Sequence, residues 1–344
     1  MAYISFQPQD YFNTTLWTGD GNSTQNITGT GFNADWIWLK GRSGAGDHQL
    51  YDKVRGVQKM IISNGANAES TNSIGLQTFG SDGFTMGSDM TGSGSTFASW
   101  NWKANGAGSS NTDGSITTTV SANTTAGFSI VKWTAGSGVS GIGHGLGVIP
   151  KLIICKDLSV SSAWTVGSDL LNNWGGYLGL QSTNALNSET RMYKPSGYSS
   201  PTASLFYQNH SAFGSAGENM IAYCFAEKQG FSKFGEYTGN ENANGPFIYT
   251  GFKPAFVMIK NRGSAGKDWF IHDNKRLGYN EKNYGLFPNL NNAEATDINL
   301  DLLSNGFKLR RSTAQLNHNG NFYFYMAFAE SPIVSSNGVP AVAR

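Results

Sequence analysis

The stretch Gly251-Phe-Lys-Pro-Ala-Phe-Val-Met-Ile-Lys260 decides the reading of this chain, because the chain writes it three times. Gly31-Phe-Asn-Ala-Asp-Trp-Ile-Trp-Leu-Lys40 is the first version and Gly147-Val-Ile-Pro-Lys-Leu-Ile-Ile-Cys-Lys156 the second. Each holds four consecutive apolar residues that run into a lysine, the pattern of a strand buried on both faces. The lysines stand 116 and 104 residues apart, a period too long for a solenoid and suited to a small β domain repeated in tandem.

Working outward, the same short elements recur around each version. Upstream lies a strand ending in an aromatic and a glycine turn: Leu16-Trp-Thr-Gly19, Val131-Lys-Trp-Thr-Ala-Gly136 and Gly235-Glu-Tyr-Thr-Gly239. A second short strand follows at Ile27, Ile142 and Phe247–Tyr249. Downstream, Gln49–Tyr51, Trp164–Val166 and Trp269–Ile271 run towards Asp52, Asp169 and Asp273, and Arg55 and Arg276 follow in the outer copies. Ser81-Asp-Gly-Phe84 and Ser304-Asn-Gly-Phe307 are tight-turn sequences whose central pairs tolerate positive φ, and the middle copy lacks them. Each copy closes on an alternating strand: Phe97–Trp102, Met220–Glu227 and Phe322–Glu330. Only 296–303 reads as a short helical turn. The expectation is an all-β chain of three tandem β-sandwich repeats, jelly-roll or concanavalin-like. Their bounds are 1–110, 111–230 and 231–332, with a tail at 333–344.

Composition agrees with many short strands joined by tight turns. Forty-four glycines accompany 21 Phe, 14 Tyr and 9 Trp, and only 14% of residues are charged. The net charge of +1 gives no bias towards nucleic acid. No stretch approaches 18 apolar residues, and the first residues lack the basic and apolar regions of a signal peptide, so neither membrane insertion nor secretion is expected. Cys155 and Cys224 occur only in the middle copy, with Leu39 and Ile259, and Asn101 and Met326, as counterparts, so buried thiols are expected rather than a disulfide.

A search for reactive constellations gives little. Asp52, Asp169 and Asp273 supply one carboxylate per copy and read as turn residues at strand ends rather than as a glycosidase pair. Glu227 and Glu330 close equivalent strands, and Lys40, Lys156 and Lys260 are their candidate partners. His272 adjoins Asp273, but neighbours on a strand point to opposite faces. The five histidines show no metal spacing, and calcium loops around Asp20 and Asn22 or Asn240 and Asn242 are too loose to assign. No catalytic residue, cofactor or metal is therefore expected. Trp174 and Tyr177, in a Gly-rich loop peculiar to the middle copy, are the candidate ligand contacts, because aromatic faces match the apolar faces of sugars.

The Gly251–Lys260 motif, the Ser304–Phe307 hairpin and the Tyr325–Pro332 strand together resemble a family of tailed-phage virion proteins found in marine and environmental viruses, as does Phe6–Asn13 followed by Leu16–Gly19. The resemblance covers nearly the whole chain. It implies a tail-fibre-like structural protein located in the virion, with other virion proteins and host surface glycans as partners and no catalytic residues to carry over. The expected function is a non-enzymatic tail fibre or tail-associated adhesin, assembled as a homotrimer. A capsid decoration protein and a glycan-degrading tail protein are the rivals.

Overall fold

The computed structural model describes residues 6–189, 193–209, 213–276, 280, 284–296 and 300–332, so the tail at 333–344 lies outside the described residues. The first copy forms β1 (Phe12–Thr18), β2 (Thr24–Thr28), β3 (Trp36–Gly41), β4 (Gln49–Asp52), β5 (Lys59–Ile62), β6 (Ser70–Thr71), β7 (Leu76–Gly80), β8 (Gly83–Gly87) and β9 (Thr96–Trp102). The middle copy forms β10 (Ser109–Asn111), β11 (Thr118–Asn123), β12 (Phe128–Thr134), β13 (Val139–Gly143), β14 (Leu152–Asp157), β15 (Thr165–Ser168), β16 (Leu205–Asn209) and β17 (Asn219–Phe225). The last forms β18 (Ser232–Thr238), β19 (Phe247–Tyr249), β20 (Phe252–Asn261), β21 (Trp269–Asp273), β22 (Leu300–Leu303), β23 (Gly306–Leu309) and β24 (Phe322–Pro332). Besides two three-residue 3-10 turns, the described residues hold no helix. The helical turn expected at 296–303 is corrected, since Leu300–Leu303 is strand β22. The chain is an all-β protein of packed antiparallel sheets.

One strand order appears three times: β1-β9-β3-β4, β12-β17-β14-β15 and β18-β24-β20-β21 form the centres of three large sheets. Small sheets β2-β8-β7, β13-β16 and β19-β23-β22 accompany them. The missing hairpin of the middle copy is visible here as a two-stranded sheet. In the outer copies the hairpin turns are Ser81-Asp82 and Ser304-Asn305, neither of which needs positive φ, and the glycine begins the next strand. Glycine is required there by close approach: a Cβ on Gly83 would lie 1.9 Å from the Ile27 carbonyl oxygen, and one on Gly306 2.0 Å from that of Ile248.

Register explains the apolar runs. Trp36 faces Trp102 and Asp52, Leu152 faces Phe225 and Ser168, and Phe256 faces Phe328 and Asp273. Side chains alternate across a strand. Trp36, Trp38, Leu152, Ile154, Phe256 and Met258 therefore all enter one central core shared by the three large sheets. Their neighbours turn the other way into three separate cores beneath the small sheets: Ile37 and Leu39, Ile153 and Cys155, Val257 and Ile259. Across the central core Trp36 stacks on Tyr223 at 4.2 Å and Phe12 on Phe328 at 5.2 Å, while Phe225 lies 5.8 Å from Phe328.

Backbone hydrogen bonds close the same arrangement into a ring. Glu294 N–H donates to the Arg42 carbonyl, Leu186 N–H to Arg262 and Glu69 N–H to Leu158, each at 2.9 Å. The three acceptors each lie two residues beyond the recurring lysine. A second set repeats the pattern, from Gly46 to Asn291, Lys267 to Thr183 and Ser162 to Ala66. The first copy thus joins the last, the last joins the middle, and the middle joins the first.

A shared core predicts shared unfolding. Calorimetry should show one transition with agreeing calorimetric and van't Hoff enthalpies, whereas separable transitions would mean independent sandwiches. Trp36→Ala should lower the stability of the whole chain by about 3–5 kcal/mol in a denaturant titration.

Candidate functional site

The recurring polar residues gather at the seams between large sheets. Asp52 ends β4, and its Oδ2 accepts the Arg55 Nε–H at 2.5 Å and the Tyr223 hydroxyl of the middle copy at 2.8 Å. Arg55 also donates to the Leu50 carbonyl and to Glu69 at 3.2 Å. Asp273 ends β21 in the same way. Its Oδ2 accepts the Arg276 Nε–H at 2.6 Å and the Trp100 indole N–H of the first copy at 2.9 Å. Arg276 reaches the Ile271 carbonyl and Glu294, and Glu294 is bridged in turn by Arg42 at 2.9 Å across the seam. The side chains of Asp52, Arg55, Asp273 and Arg276 have no solvent exposure. Burial alone would raise the Asp273 carboxyl, but the Arg276 guanidinium and the Trp100 donor hold it below its ordinary value.

The third seam departs from this plan. Ser168, not Asp169, stands opposite Leu152 in the register that Asp52 and Asp273 occupy. Asp169 lies one residue beyond and pairs with Lys151 at a partly exposed position. The positions matching Arg55, Glu69 and Tyr223 are here Leu171, Leu186 and Met326, all packed in or against the central core. Carboxylate, arginine, glutamate and donor are replaced together by serine and apolar side chains. Either complete set is physically sound, whereas half of the charged one would strand a buried charge.

The three lysines point to the central side and are fully buried. Glu227 and Glu330 are not their partners: these bind Lys233 at 2.8 Å and Lys253 at 3.0 Å. Lys40 Nζ instead donates to the Gly41 and Asn291 carbonyls, Lys156 to Asp157, and Lys260 to Lys267 and Thr183. Burial pushes all three down to about 8. Cys155 and Cys224 are free buried thiols, raised by burial, and the register places Ala327 rather than Met326 opposite the Cys224 position.

The histidines have structural surroundings. His48 stands where the other copies have Trp164 and Trp269. Those indoles donate across seams to the Ile62 and Gly179 carbonyls, whereas the His48 Nδ1 accepts the Trp38 indole N–H at 2.9 Å. His272 faces away from Asp273 and stacks beside Phe270. Burial, reinforced by Arg276, pushes His272 down to about 3. Asp20 and Asn240 cap the backbone N–H groups of Asn22 and Asn242, and the Asn240 Oδ1 also accepts the Asn317 Nδ2–H at 3.1 Å. Among the described residues no group of three or more His, Cys, Asp or Glu side chains is placed to hold a metal ion.

The two candidate ligand contacts separate. Trp174 is 2% exposed and packs on Tyr193 in the middle copy's own core, which corrects its assignment to the surface. A loop aromatic that covers an apolar core gains more by burial than by exposure. Tyr177 instead lines an open cleft of about 480 Å3 that runs along residues 177–188 to Ala265 of the last copy. Elsewhere, Phe247 and Tyr249 are 45% and 58% exposed on β19, at positions held by Asn26 and Thr28 on β2 and by Gly141 and Gly143 on β13. The exposed aromatics of β19 thus have no aromatic counterpart in the other copies.

A family model for a domain of unknown function, DUF7483, matches residues 7–332 as one stretch. The chain belongs to that family. No curated protein matches the chain. The match spans all three large sheets, in keeping with the core they share.

Two measurements test the seams. Asp273→Ala leaves Arg276 buried with only part of its compensation and should cost on the order of 3 kcal/mol in a urea titration. The folded pKa of His272 lies below its unfolded value, so between the two the unfolded chain binds more protons. Stability is then full above about pH 6.5 and falls as the pH drops towards 3. His272→Leu should recover about 2 kcal/mol of the stability lost between pH 7 and pH 5, and an unchanged pH profile would remove His272 from the account.

Proposed function

We propose that this chain is a non-enzymatic structural protein of a tailed-phage virion, serving as a tail fibre or tail-associated host-adhesion protein. The observation that carries the proposal is the division of labour between residues. The buried carboxylates and arginines Asp52, Arg55, Asp273 and Arg276, which would be the first choice for acid–base chemistry, are taken up in structural contacts at the seams. The exposed aromatic positions differ from copy to copy, as they would on a rigid scaffold whose surfaces are specialised for contact. The motif resemblance along Gly251–Lys260, Ser304–Phe307 and Tyr325–Pro332 supplies the virion setting. In this reading the ring of three large sheets takes the place of trimerisation, and the partners are neighbouring virion proteins and host surface glycans.

Purified particles provide the test. Labelling with antibody against the chain, together with quantitative mass spectrometry, should place it at the tail in a few to some tens of copies. Hundreds of copies on the shell would make it a capsid decoration protein. Absence from particles would sink the virion reading, and release of reducing ends from host polysaccharide that depends on Asp169 or Asp273 would make it an enzyme.

A further inference from the structure

We propose that the cleft lined by Tyr177 is a binding site for a neutral carbohydrate. The inference deepens the adhesion reading and rests on it only for the biological source of the sugar. The cleft's volume of about 480 Å3 falls within the roughly 300–1,000 Å3 of small-molecule sites. None of the eleven residues lining it is charged, so an anionic or cationic ligand would find no counter-charge there. The lining combines an aromatic ring and aliphatic groups with amides and hydroxyls, which matches a sugar with one apolar face and a rim of hydroxyl groups.

The polar groups are arranged in advance. Tyr177 and Asn187 exchange both backbone hydrogen bonds, and Asn187 Nδ2–H donates to the Tyr177 hydroxyl at 3.1 Å, which holds the ring in place. Gln181 Oε1 accepts the Trp164 backbone N–H at 3.0 Å, so its amide nitrogen is the end that remains to donate to a ligand. The exposed Asn184 follows a turn capped by Ser182 and offers both a donor and an acceptor. Thr183 and Gly179 are tied to the last copy through Lys267, Lys260 and Trp269. A site fixed before binding loses less entropy when the ligand arrives.

Nothing in the repeat demands this cleft. The pairing that matches Tyr177 with Asn187 matches Met60 with Ser70 and Gly285 with Ala295 in the other copies. At those seams Glu69 and Glu294, which correspond to Leu186, are engaged by Arg55 and by Arg276 and Arg42. Among the described residues, an aromatic ring and a charge-free wall come together at the seam of the middle and last copies.

Saturation-transfer NMR on the full chain tests the proposal, using the methyl glycosides of glucose, galactose, mannose and N-acetylglucosamine, with glucuronic acid as a charged control. At least one neutral glycoside should receive saturation and glucuronic acid should not. Tyr177→Ala should weaken that binding about tenfold or more, while Tyr177→Phe, which keeps the ring, and Tyr249→Ala, on a remote strand, should leave it within about threefold. Ala265→Phe, placed on an exposed loop, should block the cleft without lowering the melting temperature, and it decides the matter if Tyr177→Ala does not fold. The proposal is overturned if no neutral glycoside binds, if glucuronic acid binds equally, or if binding survives Ala265→Phe. A chain found on particles that binds no neutral glycoside overturns the cleft while the virion reading stands.

Discussion

Each large sheet has to bury both of its faces, and the rest of the structure follows from that requirement. A strand such as Trp36–Leu39 presents two tryptophans on one side and Ile37 and Leu39 on the other, all at most 1% exposed. A small sheet covers one face, and the other turns into the central core. That face is closed mainly by the corresponding faces of the other two large sheets, with loop residues such as Leu171, Leu180 and Phe231 filling in. One Trp, Phe and Tyr-rich core is therefore shared by three large sheets. Burial of this kind is the dominant favourable term in folding, and here it depends on all three copies at once.

At two seams buried charges are matched, while the buried lysines Lys40, Lys156 and Lys260 are held by backbone carbonyls. Two seams carry a buried carboxylate held by an arginine and by a donor from the neighbouring copy, and a glutamate completes the arginine's shell. The third seam abandons the whole set for Ser168, Leu171, Leu186 and Met326. Such coordinated exchange is what the energetics require, since an unmatched buried ion costs more than either complete arrangement. Loss of the charged set also leaves the third seam with the uncharged wall beside which Tyr177 stands.

Much of this was legible in the residues. The continuous apolar runs announced strands buried on both faces, and the Asp/Asn-Gly-Phe sequence absent from the middle copy marks the place where the two-stranded sheet β13-β16 departs from the other small sheets. The failures have physical causes. Asp169 looks equivalent to Asp52 and Asp273 by motif, but pairing register rather than motif sets equivalence, and Ser168 holds the place. The same one-residue ambiguity set Met326 against Cys224 where the sheet has Ala327. Trp174 lies in a Gly-rich loop, yet it turns inward and joins Tyr193 and Phe206 in the middle copy's own core. The cross-seam partners Tyr223 and Trp100 carry no local signal at all. They meet Asp52, Asp273, Arg55 and Arg276 only after the ring has closed, and only the paired spacing of Arg55 and Arg276 behind their aspartates hinted that a buried charge cluster was there.

A scaffold whose large sheets share one core lets exposed positions diverge without loss of that core. The most direct measurement is an amide NMR spectrum of residues 6–110 expressed alone. The account predicts poor dispersion and no cooperative melt, because Trp36, Trp38, Trp100 and Trp102 would face water instead of the other two sheets. A well-dispersed spectrum with a sharp thermal transition would contradict it, and would make the chain three independent sandwiches that merely touch.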